Sequence, residues 1–372
     1  MIIERVETFP LLYRLPRPYG DANGYKKYRA TYLIRLITRS GIDGWGEILD
    51  WLPTLDLGFR ERIAPYLIGK QATDRLKLVK TINKWHQRAA AGVSMALTEI
   101  AAKQAGLSVC QLWGGPVHQQ VPLYASFQSY REDADWMRQS VSQVVQQVAA
   151  GYRRIKVKIG GRTLREDQRH IECLMNSLSS EVLVALDANQ SYDLASTREW
   201  EHLLSRYPNW MWLEEPMPME RTAEYARLRL SLSMPLAGGE NLVSCQQFLP
   251  LYTQAALDIV QPDVMHSEGI DEYRTQLILA RQFGLRVSPH TYDGSLTRLY
   301  SLFAQACLPA WSKMEGDKLE PVEWDAMENP FTHLFPVRHV QGEAVIPEGP
   351  GIGMEPDWAI IRAYRWDGSL YV

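Results

Sequence analysis

Net charge is almost absent from this chain of 372 residues. Its 40 Lys and Arg against 43 Asp and Glu leave a formal −3, which provides no basic field for nucleic acid or an anionic membrane. Cysteine is scarce: Cys110, Cys173, Cys245 and Cys307 lie far apart with no CxxC pair. That excludes a disulfide scaffold or a cysteine zinc site and implies buried thiols in a reducing compartment. No apolar run approaches the length of a membrane span. The first residues, Met1 to Glu7, alternate like a strand where a signal peptide would carry an apolar stretch, so the expectation is a soluble cytoplasmic protein. Apolar residues themselves are plentiful: 46% hydrophobic against 22% charged excludes disorder and, at this length, suits a barrel with a smaller second domain.

Residues 1 to about 60 read as antiparallel strands, Ile2 to Pro10, Ala30 to Thr38 and Gly44 to Glu47, with a polar loop from Arg14 to Lys27 between the first two. Helical periodicity follows to about Lys103, with Val93, Ala96, Leu97, Ile100 and Ala101 on one face, and Gly114-Gly115-Pro116 closes this part. Strands followed by helices indicate an α+β domain over residues 1–118. From Val121 short apolar runs alternate with amphipathic helices. The candidate strands are Val121 to Ser126, Ile155 to Ile159, Val182 to Asp187, Met211 to Glu214, Leu236 to Glu240, Asp258 to Pro262, Leu285 to Pro289 and Pro321 to Trp324. Eight strands with repeated crossovers predict an α/β fold, a closed parallel barrel over 119–325. The remainder, 326–372, is expected to pack back on the first domain. Gly349 to Gly353 lacks the strand-turn-helix context of a dinucleotide loop.

In Arg154-Ile155-Lys156-Val157-Lys158-Ile159, alternation puts three aliphatic side chains on one face and two lysines on the other. Alone, the pattern fits an edge strand protected by lysines. Two adjacent ammonium groups also repel, and the repulsion is expected to lower the pKa of at least one, as a lysine base requires. The later strands end in Asp187, Glu214, Glu240, Asp263 and His290, at intervals of 23 to 29 residues, about one strand-helix unit each. In a barrel such positions converge on the C-terminal mouth. Asp187, Glu214 and Glu240 are not expected to stay ionised together without a cation, and an all-oxygen set suits magnesium. Asp263 and His290 form a candidate dyad in which the carboxylate fixes the imidazole tautomer. His86, His170 and His202 fall in helical stretches without a role, and His266 and Glu268, near the mouth in sequence, read as a surface loop.

Lys156-Val157-Lys158, Leu186-Asp187-Ala188-Asn189-Gln190, Leu213-Glu214-Glu215-Pro216, Gly238-Gly239-Glu240-Asn241, Gln261-Pro262-Asp263 and Ser288-Pro289-His290 together resemble the enolase superfamily. Within it the chain is similar to the mandelate racemase subgroup of the mandelate racemase/muconate lactonizing enzyme family, over essentially its whole length. The resemblance implies a TIM-like (β/α)7β barrel with an N-terminal capping domain completed by the tail, and a homo-oligomer. It implies Mg2+ on Asp187, Glu214 and Glu240, and Lys158 and His290 as acid/base groups on opposite substrate faces, His290 paired with Asp263. Lys156 is implied to contact the substrate carboxylate, with Asn189 beside the metal. Chemistry of this type holds an ene-diolate formed by removing the proton beside a carboxylate. A glutamate is implied at the end of strand eight. Glu315 has the more usual spacing from His290, but Glu323 follows strand-like residues and is the choice.

The cap loop Arg14 to Lys27 and the apolar stretch Trp51 to Phe59 are expected to close over the mouth, with Arg17 and Tyr19 touching substrate. The loop's polar groups suit a polyhydroxy chain better than an aryl acid. A sugar-acid dehydratase, a hydro-lyase, is therefore expected ahead of an isomerase that racemises a 2-hydroxy acid. A cycloisomerase or dipeptide-epimerase relative would have a lysine where Asp263 stands, and a non-catalytic metal-binding barrel would not need the full set of acids and bases.

Overall fold

The computed structural model describes residues 1–314 and 318–371. The chain opens with a three-stranded antiparallel sheet, β1 (Ile3–Asp21), β2 (Gly24–Thr38) and β3 (Asp43–Ile48), in that order. The segment expected as a loop from Arg14 is thus mostly strand. Pairing runs from Ile3↔Thr38 to Asp21↔Gly24, and its register slips between Arg14 and Tyr19. Pro16 and Pro18 stand in that interval and have no N–H to give to a ladder. The hairpin continues past them to its turn, where Gly24 takes a φ of 125° open to glycine. Gly20 and Tyr130 exchange backbone hydrogen bonds of 2.9 and 3.1 Å, which ties the hairpin tip to the second half of the chain. The helix Gln87–Ala105 is buried along nearly its whole length and packs on β3.

The second half carries eight parallel strands: β4 (Gln120–Phe127), β5 (Arg154–Lys158), β6 (Leu183–Asp187), β7 (Trp210–Glu214), β8 (Leu236–Gly238), β9 (Ile259–Val260), β10 (Arg286–Val287) and β11 (Val322–Asp325). They run in sequence order from β4 to β10, with β11 paired to β4. The β10 and β11 segments are linked by side chains: Ser288 Oγ donates to the Pro321 carbonyl at 2.6 Å, and Gln305 Nε2 donates to Val287 and Glu320 carbonyls at 3.0 Å each. Helices intervene between strands, among them Leu164–Asn176, which starts at a reciprocal Thr163/Glu166 capping box. Ile155 and Val157 are fully buried, as the alternation predicts, but Lys156 and Lys158 are buried too.

The tail adds β12 (His339–Val340) and β13 (Glu343–Val345), the latter antiparallel to the start of β4. It then returns to the first sheet, where Trp358 packs on Phe9 and Trp45 with ring centroids 5.6 Å apart in each case. Of the cysteines only Cys110 is buried, and Cys173 is exposed, so the expectation of four buried thiols is corrected. Among the described residues no helix is long and apolar enough to cross a membrane.

Candidate active site

Register builds the site. Parallel pairing sets Lys158 beside Asp187 and Asp187 beside Glu214, so three strand ends present their charged groups in a row. Lys158 Nζ lies 2.5 Å from Asp187 Oδ2. Lys156 Nζ, fully buried, lies 2.6 Å from Glu214 Oε1 and 3.1 Å from both Asp187 Oδ2 and Glu323 Oε1. The expectation of a lysine with lowered pKa is not met, because burial of each ammonium is outweighed by these carboxylates and both lysines are raised. Mutual repulsion is present but weaker than attraction at 2.5 Å. Asp187 is lowered: burial favours its neutral form, but Lys158 and Lys156 prevail. Glu214 is raised by burial and by Asp187 beside it.

Asp187, Glu214 and Glu240 each offer a carboxylate oxygen, all within 4.8 Å of one another. Glu240 Oε2 is buried and makes no hydrogen bond, though the His290 ring nitrogen Nε2 lies 3.2 Å away, so a carboxylate oxygen remains available as an acceptor. Glu214 Oε2 is held by Trp212 Nε1 at 2.9 Å and Gln261 Nε2 at 2.7 Å, which fixes the carboxylate plane. An all-oxygen set with a spare acceptor fits a hard divalent cation. Asn189 donates its backbone N–H to Asp187 Oδ1 at 3.0 Å and lines the same cavity.

His290 Nδ1 is 2.6 Å from Asp263 Oδ2, while its Nε2 lies 3.2 Å from Glu240 Oε2 and 3.4 Å from Glu323 Oε2. Burial disfavours the imidazolium, but Glu240, Glu323 and Asp263 outweigh it and push the group up to about 10. Glu323 is 1% exposed and accepts from the Thr291 N–H at 3.1 Å. The alternative Glu315 lies outside the described residues.

A cavity of about 420 Å³ opens over this cluster, lined by Lys158, Asn189, Glu240, Asp263 and His290 from strand ends and by Asp21, Asn23, Tyr25 and Lys26 from the hairpin tip. Arg17 and Tyr19 are not among its walls. Arg17 is exposed, and Tyr19 is buried beneath the hairpin with its hydroxyl donating to the Glu328 carbonyl at 3.0 Å. The slip at Pro16 and Pro18 moves the cavity-facing residues on to the turn, which corrects the expectation for these two. Trp51 to Phe59 does not line the cavity either. Leu52, Leu55 and Phe59 are buried in the first domain, and Leu49 just before them reaches the wall.

Several residues emerge only from the structure. His266 belongs to the cavity wall, with Nδ1 2.8 Å from the Glu240 carbonyl. Glu215, fully enclosed and pushed up to about 7 by burial, accepts from Gln190 at 2.5 Å and from the Gly239 N–H at 2.8 Å, bracing the backbone before Glu240. Arg88, Gln128, Met265, Tyr292 and Asp293 also line the wall. The adjacent glutamates in Leu213-Glu214-Glu215-Pro216 were the one visible signal for Glu215.

Comparison with known proteins agrees with this geometry. Residues 139–360 match the family described as Enolase C-terminal domain-like, and residues 9–114 match the Mandelate racemase / muconate lactonizing enzyme, N-terminal domain. The chain belongs to the mandelate racemase/muconate lactonizing enzyme family of the enolase superfamily. It is 28% identical to the D-galactarolactone cycloisomerase of Agrobacterium fabrum over 98% of this chain and 99% of that protein. It is likewise 28% identical to the arabinonate dehydratase of Saccharolobus solfataricus over the same shares. A racemase from Streptomyces coelicolor, solved with bound magnesium, has the same fold with a TM-score of 0.85 and 20% identity, covering 98% of this chain and 100% of that one. The protein is thus an enzyme of a family whose named members are lyases and isomerases, with the family's N-terminal domain before its C-terminal domain.

Proposed function

We propose that this enzyme dehydrates a polyhydroxy sugar acid, removing the proton beside its carboxylate and the 3-hydroxyl as water to leave a 2-keto-3-deoxy acid. The observation that carries the reading is the placement of Lys158 and the Asp263–His290 pair on strands that flank the three carboxylate-bearing strands, around one polar cavity. The reading takes the eight-stranded sheet as a closed (β/α)7β barrel under the cap. Asp187, Glu214 and Glu240 would hold Mg2+, which when bound supplies positive charge that stabilises the charge developing on the substrate carboxylate.

The chain's own groups do the rest. Lys156, fully buried among Asp187, Glu214 and Glu323, supplies positive charge beneath the place taken by the substrate carboxylate, and Glu323 offers a hydrogen-bonding partner on the His290 side. Lys158 or His290 takes the proton from carbon two, according to which face it occupies, once Asp187 and Glu240 are committed to Mg2+ and no longer keep these two groups protonated. Asp263 keeps the His290 proton on Nδ1 when Nε2 is free, so that Nε2 is the atom that exchanges protons with substrate. From Nε2 a proton passes to the departing 3-hydroxyl. The polar walls, Asp21, Asn23 and Lys26 among them, favour a polyhydroxy chain over an aryl acid.

A panel of sugar acids and 2-hydroxy acids supplied with magnesium tests this directly. We expect a 2-keto product from at least one sugar acid. Inversion at carbon two with no keto product anywhere in the panel would overturn dehydration in favour of racemisation. The 28% identity to a cycloisomerase supports a second reading. There the leaving group is the ring oxygen of a lactone, and the product is an isomer of its substrate.

A further inference from the structure

Five basic side chains line the cavity: Lys26, Arg88, Lys158, His266 and His290. Three are neutralised by close carboxylates. Lys158 lies on Asp187 at 2.5 Å, Lys26 on Asp293 at 2.7 Å and His290 on Asp263 at 2.6 Å. Arg88 differs, because its nearest described carboxylate oxygen, on Asp50, is 3.7 Å away, beyond hydrogen-bond reach. Its guanidinium is instead oriented by a backbone carbonyl and an imidazole nitrogen. Nη1 donates to the Leu49 carbonyl at 2.8 Å, and Nη2 faces His266 Nε2 at 3.3 Å. The His266 tautomer follows from its two neighbours, since Nδ1 faces the Glu240 carbonyl, which only accepts, and Nε2 faces an arginine, which only donates.

An arginine has five N–H donors in a fixed fork, so these two contacts leave donors for a carboxylate. The side chain is 37% exposed, compatible with a ligand-facing group. Arg88 rises from the second residue of the helix Gln87–Ala105 in the first domain and meets His266, three residues beyond Asp263. It therefore stands where the cap meets the barrel-side wall, apart from the row of Lys158, Asp187 and Glu214 at which the reacting carboxylate is placed.

We propose that Arg88 binds a second carboxylate at the far end of the substrate, which makes the preferred substrate a dicarboxylic sugar acid. This rests on the sugar-acid reading above. A terminal hydroxymethyl group would leave the guanidinium with only the distant Asp50 carboxylate at 3.7 Å and no hydrogen-bonded anion, whereas a substrate carboxylate engages charge and fork geometry together.

The experiment compares a sugar diacid with the monoacid of identical configuration that ends in a hydroxymethyl group, using the magnesium-loaded enzyme. Wild type should prefer the diacid. In Arg88→Gln the ratio of kcat/KM values, diacid over monoacid, should fall by about 10- to 100-fold, chiefly through KM. Arg88→Lys, which keeps the charge and loses the fork, should restore part of that preference. Equal losses on both acids would reduce Arg88 to a strut between Leu49 and His266 and overturn the proposal, as would a wild-type preference for the monoacid. Calorimetric binding of the same two acids separates this failure from that of the dehydration reading. If neither acid is dehydrated, tighter diacid binding that is lost in Arg88→Gln still supports the Arg88 assignment, and indifferent binding overturns it.

Discussion

At the scale of single residues, the site is a set of charges whose behaviour is set by neighbours more than by type. Lys156 and Lys158 repel one another, yet carboxylates at 2.5 and 2.6 Å hold both as ammonium groups. Glu240 supplies one of the three clustered carboxylates, so Glu240→Gln is expected to abolish turnover and weaken magnesium binding. Retained activity after exhaustive chelation would rule out the metal-dependent reading. Lys158→Ala and His290→Asn should each remove solvent-deuterium exchange from one substrate face and cost on the order of 10²-fold or more in rate. Normal exchange in both would remove the two-sided site.

His170 illustrates the same rule far from the chemistry. It is fully buried beside Trp136, with Nε2 3.0 Å from Ser140 Oγ, and burial lowers it from 6.5 to about 4. A depressed folded-state pKa means that its contribution is intact above pH 6.5 and is lost as pH falls toward 4. The size of that loss is about 3 kcal/mol. Urea titrations at several pH values should show this decline in wild type and a flatter one in His170→Gln. Parallel curves for the two would show that His170 is not the group responsible.

Among the elements, β3 and the helix Gln87–Ala105 pack backbone against backbone. A Cβ at Gly46 would come 2.1 Å from the Gly92 carbonyl oxygen, and one at Gly92 would come 2.8 Å from the Glu47 carbonyl oxygen. Backbone blocks both positions, so Gly46→Ala should force the strand off the helix and destabilise the fold by at least about 1–3 kcal/mol. A thermal midpoint unchanged from wild type would contradict this close approach. Which elements exist was largely legible in the sequence, because apolar alternation and helical periodicity are local. Lys158, Asp187, Glu214 and Glu240 were legible as a set because each strand-helix unit delivers one strand-end residue. The extent of the first hairpin was not, since Pro16 and Pro18 read locally as loop. Their missing donors are tolerated because the ladder slips there and resumes at Tyr19↔Lys26. Arg88 and His266 were illegible for a related reason: each becomes a wall residue only when the two halves dock.

Across the whole molecule, that docking is carried by buried charge. Arg29, 2% exposed on β2, pairs with Asp293 and lies 2.9 Å from Asp325, so one cap residue grips the segments that follow His290 and Glu323. Glu47 on β3 reaches still further. Its carboxylate accepts from Thr31 Oγ1 at 2.8 Å and from the N–H groups of Leu296 at 2.7 Å, Thr297 at 3.0 Å and Ser295 at 3.3 Å. Those amides open the helix Ser295–Ala306, which starts five residues beyond His290. A side chain of the first sheet thus satisfies the otherwise orphaned first turn of a helix in the second half of the chain, where a negative charge is favoured. Removing it in Glu47→Ala leaves four donors without their acceptor in a buried interface, and unpaired buried donors cost roughly 1–3 kcal/mol each. We expect the variant to lose more than about 3 kcal/mol of unfolding free energy, with faster amide exchange at Ser295, Leu296 and Thr297. Because the same helix follows the His290 segment, kcat should fall while magnesium affinity, set by Asp187, Glu214 and Glu240 on other strands, is retained. A loss below about 1 kcal/mol with unchanged exchange at those three amides would mean that water replaces the carboxylate and that Arg29 alone holds cap and barrel in register.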